Sequence, residues 1–341
     1  MKKVAYFTVV RAVSCIAIVF LHTFYLAVSG FETTFSQSVV SMIVRNCLLW
    51  AVPCFVMVSG ALLLDPAKKI TLSDIFGRYI RRMVLAILLF TFVFVVFDAL
   101  ATGEPKGMAV FGTWLQKAWT NGSWSHMWYL YMLIGLYLML PLYRLVTRQR
   151  NGGMLGYALL LFFLFLCILP SIGYLTGKTS GFYAMAYTVY PFYFFMGYAL
   201  HKNKIRLPLI AAVVLLAIGT FLLVLSTYFS IRMESETLRS FSGSYASFAV
   251  AFQAIGIFTL FQRGHRLFAS TMPIWERIDE LSFGIYLVHL LFLHLFYRVA
   301  HWSPYRNGGT IMLAPVGILT FFLSAGLTYL LKKIPKSERV L

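Results

Sequence analysis

The sequence predicts an all-α fold: a polytopic membrane helical bundle of about ten transmembrane helices, N-in and C-in. Three observations carry that prediction. Of 341 residues, 60% are hydrophobic and only 12% charged, where a soluble domain runs at roughly 45–50% and about 25%. So little charge cannot wet the surface of a soluble protein of this size. Apolar runs recur at the length of about 20 residues that a helix needs to cross a ~30 Å hydrocarbon layer. Finally, 29 Lys and Arg face 11 Asp and Glu, and the basic residues alternate in density from loop to loop, as cytoplasmic loops require.

The spans are expected at 5–29, 40–64, 79–101, 127–146, 154–174, 182–200, 207–229, 243–263, 280–300 and 310–331, forming one domain over residues 1–341. With Lys2 and Lys3 inside, the same side receives Lys68, Lys69, Arg78, Arg81 and Arg82, then Arg144, Arg148 and Arg150. Lys202, Lys204 and Arg206 follow, then Arg263, Arg266 and Arg277, and last Lys332, Lys333, Lys336 and Arg339. The opposite loops hold Lys106, Lys117, Lys178, Arg232, Arg239 and Arg306. This asymmetry sets the orientation. A nucleic-acid binder would gather its charge on a polar domain, and the chain has none.

The first span resembles a signal peptide in its flanks, but Arg11 and His22 interrupt the apolar stretch, so it is expected to remain as a helix. The loop 102–126 carries Gly103, Pro105, Gly107 and the indoles of Trp114, Trp119 and Trp124, which suits a re-entrant or interfacial segment at headgroup level. Cys15, Cys47, Cys54 and Cys167 lie in apolar runs without CxxC spacing, as packing residues rather than a disulfide framework or zinc site. HExxH, GxSxG, P-loop and GxGxxG patterns are absent.

Ionisable groups at membrane depth are costly and mark functional sites. Arg11 and His22 are eleven residues apart, within ~20° of three full helical turns and ~16 Å along the axis. They therefore share one face, with Ser14, Cys15 and Ile18 completing the stripe. Arg45 stands near the outer end of the second span, where it either snorkels or faces a cavity, and Pro53 frees a carbonyl further down. Arg78, Arg81 and Arg82, at i, i+3 and i+4, should form one cationic face, a topology signal or a clamp for phosphate. The fourth span opens with His126 and Trp128, with His126 read as an interfacial residue. In the ninth, Ser282, Tyr286 and His289 lie on one side, and His294 is turned away by ~140°. Asp98 and Glu32 are the acidic groups of the outer half, without an evident catalytic partner.

In this order, these pieces resemble the acyltransferase family 3, the integral membrane O-acyltransferases. The matching residues are Arg11 to His22, Arg45 with Val52-Pro53-Cys54-Phe55 and Val58-Ser59-Gly60, Arg78-Tyr79-Ile80-Arg81-Arg82, Trp128-Tyr129-Leu130 with Tyr137 and Pro141, and Ser282-Phe283-Gly284-Ile285-Tyr286-Leu287-Val288-His289. Trp50 and Cys54 depart from the usual aliphatic residues, and the chain is similar to the stand-alone type without a fused extracellular domain. The resemblance implies a bacterial cell-membrane enzyme moving an acyl group, usually acetyl from acetyl-CoA, to a hydroxyl of a glycan or lipid-linked precursor. No permanently bound cofactor, metal or nucleic-acid partner is expected. A cytoplasmic polyanion fits the cluster Arg78, Arg81 and Arg82, and a route past Arg11 would bring the thioester to His22. There His22 acts as general base or as a transient acyl carrier. Arg45 or Arg11 would stabilise the oxyanion, His289 would relay protons or position groups, and Ser282, Tyr286, Trp128 and His126 would line the substrate site. The alternative is a secondary transporter for an anionic solute. It fits the buried Arg and His residues, but paired half-repeats with broken helices are missing.

Overall fold

The computed structural model describes residues 4–148, 153–176, 188–306, 308–337 and 340. Among them every regular element is helical. The long elements are α1 (Ala5–Gly30), α2 (Phe35–Cys47), α3 (Ala51–Leu63), α4 (Leu72–Thr102), α5 (Ala109–Thr120), α6 (Trp128–Arg148) and α7 (Gly153–Thr176). They continue as α8 (Tyr190–His201), α9 (Leu209–Arg232), α10 (Glu236–Gly243), α11 (Phe248–Gly264), α12 (Met272–Val299) and α13 (Leu313–Leu331).

Nine stretches among the described residues are long and apolar enough to cross a membrane, and each coincides with one of the expected spans. Of the sixth, expected at 182–200, residues 182–187 lie outside the described residues, and the remainder forms the 12-residue α8, about 18 Å long. Its Tyr190–Leu200 stretch is buried on every side, so its apolarity serves packing against protein. Lipid-facing helices look different: α9 and α13 expose Ile210, Phe221 and Phe322 at 64–75%, exposure that only hydrocarbon makes favourable.

The basic loops meet at one end. Arg144 donates to the carbonyls of Leu63 (2.6 Å), Asp65 (3.1 Å) and Lys68 (2.5 Å), Lys202 pairs with Asp65 at 2.6 Å, and the Tyr6 hydroxyl reaches His201 at 2.7 Å. Arg82 reaches the Val340 carbonyl and Arg263 that of Leu207. Lys2, Lys3, Arg150, Lys178 and Arg339 lie outside the described residues. Because α3 ends at Leu63 without a glycine cap, its last carbonyls depend on the five-donor guanidinium of Arg144. Arg144→Ala should lower the melting temperature in detergent by an amount equivalent to about 1–3 kcal/mol, and Arg144→Lys, lacking the planar fork, should recover little of it.

Two local features differ from the expectation. The second span breaks at Leu48–Trp50, so Pro53 falls in the first turn of α3, where an N–H has no partner within the helix anyway. Ile75–Ile80 is a π-helical turn, wider than the α-helix expected there.

The segment after α4 folds back as α5 alongside the outer half of α4. The Trp114 indole donates to Leu88 O at 2.8 Å and Lys117 stands 3.6 Å from Asp98. Trp119 is 89% exposed, as a headgroup-level ring should be. Trp124 instead turns inward and stacks on Phe94 at 4.1 Å.

Candidate functional site

Helices α1 and α12 run parallel in a fixed register. Arg11 forks Asp279 with both contacts at 2.6 Å, Cys15 meets the Ser282 carbonyl at 3.5 Å, and His22 meets His289 at 3.1 Å. The face of α1 that carries Arg11 and His22 therefore looks onto the face of α12 that carries Asp279, Ser282, Tyr286 and His289.

Three histidines converge where these helices meet the turn before α6. Ring centroids are 5.0 Å apart for His22 and His289, 5.3 Å for His126 and His289, and 6.3 Å for His22 and His126. Hydrogen bonding assigns their tautomers. His289 Nδ1 faces the carbonyls of Tyr286 (2.7 Å) and Ile285 (3.2 Å), which only accept, so this nitrogen carries the proton. The lone pair of neutral His289 is then on Nε2, facing His22 Nδ1. His22 Nδ1 also faces the Ile18 carbonyl at 3.0 Å, so it is the donor. The lone pair of His22 is thereby left on Nε2. His289 and His126 are buried and His22 only half-buried, which leaves His22 as the accessible base of the trio.

His126 is not an interfacial residue. It is 1% exposed, Nε2 faces the Leu287 carbonyl at 3.3 Å, its own carbonyl accepts from the Tyr286 hydroxyl, and its Nδ1 is buried without a partner. Sequence position at the start of a span suggested a wetted ring; the turn 121–127 instead folds inward, carried by Trp124 on Phe94. Among the described residues no three His, Cys, Asp or Glu side chains are arranged to hold a metal ion.

Two cavities approach the trio from opposite ends. The first, about 480 Å³, opens among Arg11, Arg82, Asp279, Glu280 and Lys332 and reaches Ile18, Tyr129 and Tyr286. Ser282 lines it too, with its hydroxyl donating to the Asp279 carbonyl at 2.8 Å. The Arg82 guanidinium lies 4.5 Å over the Phe283 ring. Lys332 donates to the Glu280 carbonyl, and its ammonium is held below the ordinary lysine range by burial, with neighbouring Arg82 adding to the effect. The second cavity, about 680 Å³, lies at the opposite end among Tyr25, Arg45, Tyr174, Tyr190, Arg239 and Tyr245. Trp128 backs its aromatic wall, 5.4 Å from Tyr190 and 5.6 Å from Tyr245. Ile18, which lines the first cavity, and Tyr25, which lines the second, each stand about one turn from His22 along α1.

The remaining sequence-derived residues fall as follows. Arg45 lines the second cavity rather than snorkelling past it. Arg78 and Arg81 are exposed and do not line the first cavity; of the three arginines Arg82 lines it. Arg11 is paired to Asp279 about 16 Å from His22, at the mouth rather than beside the imidazole. His294 packs on Trp124 at 4.3 Å. Asp98 is committed to Arg298 (2.9 Å), Trp124 Nε1 (3.2 Å) and Lys117.

Asp279 was missed because the ninth span was begun one residue later. Its spacing to Ser282, Tyr286 and His289 (i+3, i+7 and i+10) places it on their face, and that signal was available in the sequence.

The family model described as "Acyltransferase domain" matches residues 4–331, nearly the whole chain. No curated protein and no solved structure matches it.

Proposed function

The chain belongs to this acyltransferase family, and from that premise we propose that it is a membrane O-acyltransferase carrying acetyl from cytoplasmic acetyl-CoA to a hydroxyl of a cell-envelope glycan or its lipid-linked precursor. The observation that carries the reading is His22, its Nε2 lone pair left free by His289, one helical turn from Ile18 in a cleft with cations at its mouth and from Tyr25 in a tyrosine-lined cavity.

In this reading the pantetheine arm enters the first cavity from the basic end, with the CoA phosphates near Arg82 and Lys332, since a guanidinium matches phosphate geometry. The acceptor enters from the opposite end. His22 Nε2 takes the proton of the acceptor hydroxyl as its oxygen attacks the thioester carbonyl. The tetrahedral intermediate collapses with loss of the sulfur, and the imidazolium returns the proton to the departing CoA thiolate. A variant of the same chemistry has His22 Nε2 attack the thioester carbonyl and expel CoA thiolate, giving an acyl-imidazolium; the acceptor hydroxyl then attacks the acyl carbon, its proton passes to the thiolate, and His22 leaves as neutral imidazole. His289 positions His22 in both. Arg11 holds Asp279 and shapes the mouth.

The test is transfer of labelled acetyl from acetyl-CoA by the purified chain in lipid nanodiscs, read as CoA release and label in the acceptor. Absence of any acetyl-CoA consumption by folded protein would end the proposal. The donor site has its own signature. Arg82→Ala should raise the KM for acetyl-CoA about tenfold, as loss of a charge-assisted hydrogen bond does. Arg81→Ala should raise it only about two- to threefold, and less at high salt, because an exposed charge is screened. A larger effect at Arg81 would place the phosphate contacts outside the cleft.

A further inference from the structure

We propose that the second cavity receives an acceptor bearing an anionic group, a carboxylate or a phosphate, with Arg45 as its counter-charge; this rests on the acyl-transfer reading, because the acceptor hydroxyl must reach His22.

Arg45 sits in the last turn of α2 with its charge uncompensated. Its Nη1 donates to the Asn46 side-chain oxygen at 2.6 Å, and the Asn46 amide donates to Thr227 Oγ1 at 2.8 Å, so these partners are neutral. Its Nε is buried with no hydrogen-bond partner, and the guanidinium lies 5.3 Å over the Tyr25 ring. The one acidic residue lining the cavity, Glu236, is already paired with Arg239 at 2.7 Å, and among the described residues no carboxylate forms an ion pair with Arg45. A basic residue near a helix C-terminus commonly serves the last carbonyls, but the hydrogen bond of Arg45 goes to a side chain instead. A largely buried cation without an acid is costly, and a ligand that brings the missing charge removes that cost. Gly243 makes the room: a Cβ there would stand 3.2 Å from Arg45 Nη1.

The cavity also suits the rest of such a ligand. Its volume of about 680 Å³ lies within the ~300–1,000 Å³ of small-molecule sites. Tyr174, Tyr190 and Tyr245 offer apolar ring faces with polar tips. Tyr25, under the guanidinium, is one turn from His22, a rise of about 4.5 Å. An anionic group at Arg45 and a hydroxyl at His22 therefore fit one ligand of sugar-unit dimensions. A neutral polyol would leave Arg45 unpaired.

The test uses the full chain in nanodiscs with three probes: a hexuronate oligosaccharide, a neutral oligosaccharide of the same linkage, and a glycerol-phosphate oligomer. Acetyl transfer is measured with acetyl-CoA, and binding without CoA by saturation-transfer NMR. The folded wild type should favour one anionic probe over the neutral one by about tenfold in KM, and the preferred probe tells carboxylate from phosphate. Arg45→Gln should reduce that ratio to about one, and Arg45→Lys should restore part of it. Equal use of all three probes by the wild type, or an undiminished ratio in Arg45→Gln, would overturn the proposal. If Arg45→Gln does not fold, Arg45→Lys and the wild-type preference decide. Preferential binding of an anionic probe without turnover would sink the acyl-transfer reading and keep the site; equal binding would sink the site.

Discussion

Replacing His22 with alanine is expected to lower acyl transfer by at least about 10³-fold while leaving the melting temperature in detergent close to that of the wild type. General bases contribute typically ~10²–10⁴, and the tautomer argument gives this imidazole the accessible lone pair of the trio. The structural cost is small, since His22 is half-buried and among the described residues it bonds Ile18 O and His289. His289 should respond in a graded way. His289→Leu removes the acceptor facing His22 Nδ1 and frees the ring to adopt the other tautomer, so kcat should fall by about tenfold or more with little change in donor KM. His289→Gln can present a carbonyl oxygen to the same N–H and should recover part of the loss. Equal damage from Leu and Gln would show that His289 acts through packing rather than through that hydrogen bond. Wild-type protein given acetyl-CoA without acceptor separates the two chemical routes: an acetyl mass increment on the peptide containing His22 supports the covalent one. Retained transfer in His22→Ala would remove the imidazole from the mechanism altogether.

The second large effect falls on folding. Gly197→Ala and Gly60→Ala should each prevent recovery of a monodisperse protein, or lower its stability by more than the ~1–3 kcal/mol usual for overpacking. Helices α3 and α8 run in the same direction, their ends joined by the Lys202–Asp65 pair, and they cross with their backbones in contact. A Cβ on Gly197 would lie 2.0 Å from the Met57 carbonyl oxygen, and one on Gly60 would lie 1.8 Å from that of Phe194. No rotamer relieves a clash with backbone. Small residues at such crossings are how helices associate where lipid offers no hydrophobic driving force. Gly135 and Gly156, with open space around the added atom, are the controls and should tolerate alanine. Melting of the four variants in one detergent checks the contrast; equal tolerance at all four positions would refute the close crossing.

Hydropathy and charge made nine of the spans and the gathering of the basic loops legible from the sequence, because both follow from local composition acting against a uniform solvent. Of the sixth expected span, α8 lies within the described residues, and its Phe- and Tyr-rich residues face protein rather than lipid: hydrophobicity reports that a side chain avoids water, not what it meets instead. Helical periodicity put Arg11 and His22 on one face correctly, but it does not show which member of the Arg78, Arg81 and Arg82 cluster meets a cavity, and Arg82 does.

On its own, the sequence determined the membrane class, the alternation of the loops and which residues of each helix share a face, since all three are set within a few turns of chain. Only the tertiary structure decided that His22 points at His289, more than 260 residues away, that His126 closes the trio from a buried turn, and that Arg11 is matched by Asp279 while among the described residues no carboxylate pairs with Arg45. Those outcomes depend on the register at which distant helices pack, and register is fixed by interlocking surfaces and paired charges that no single segment contains.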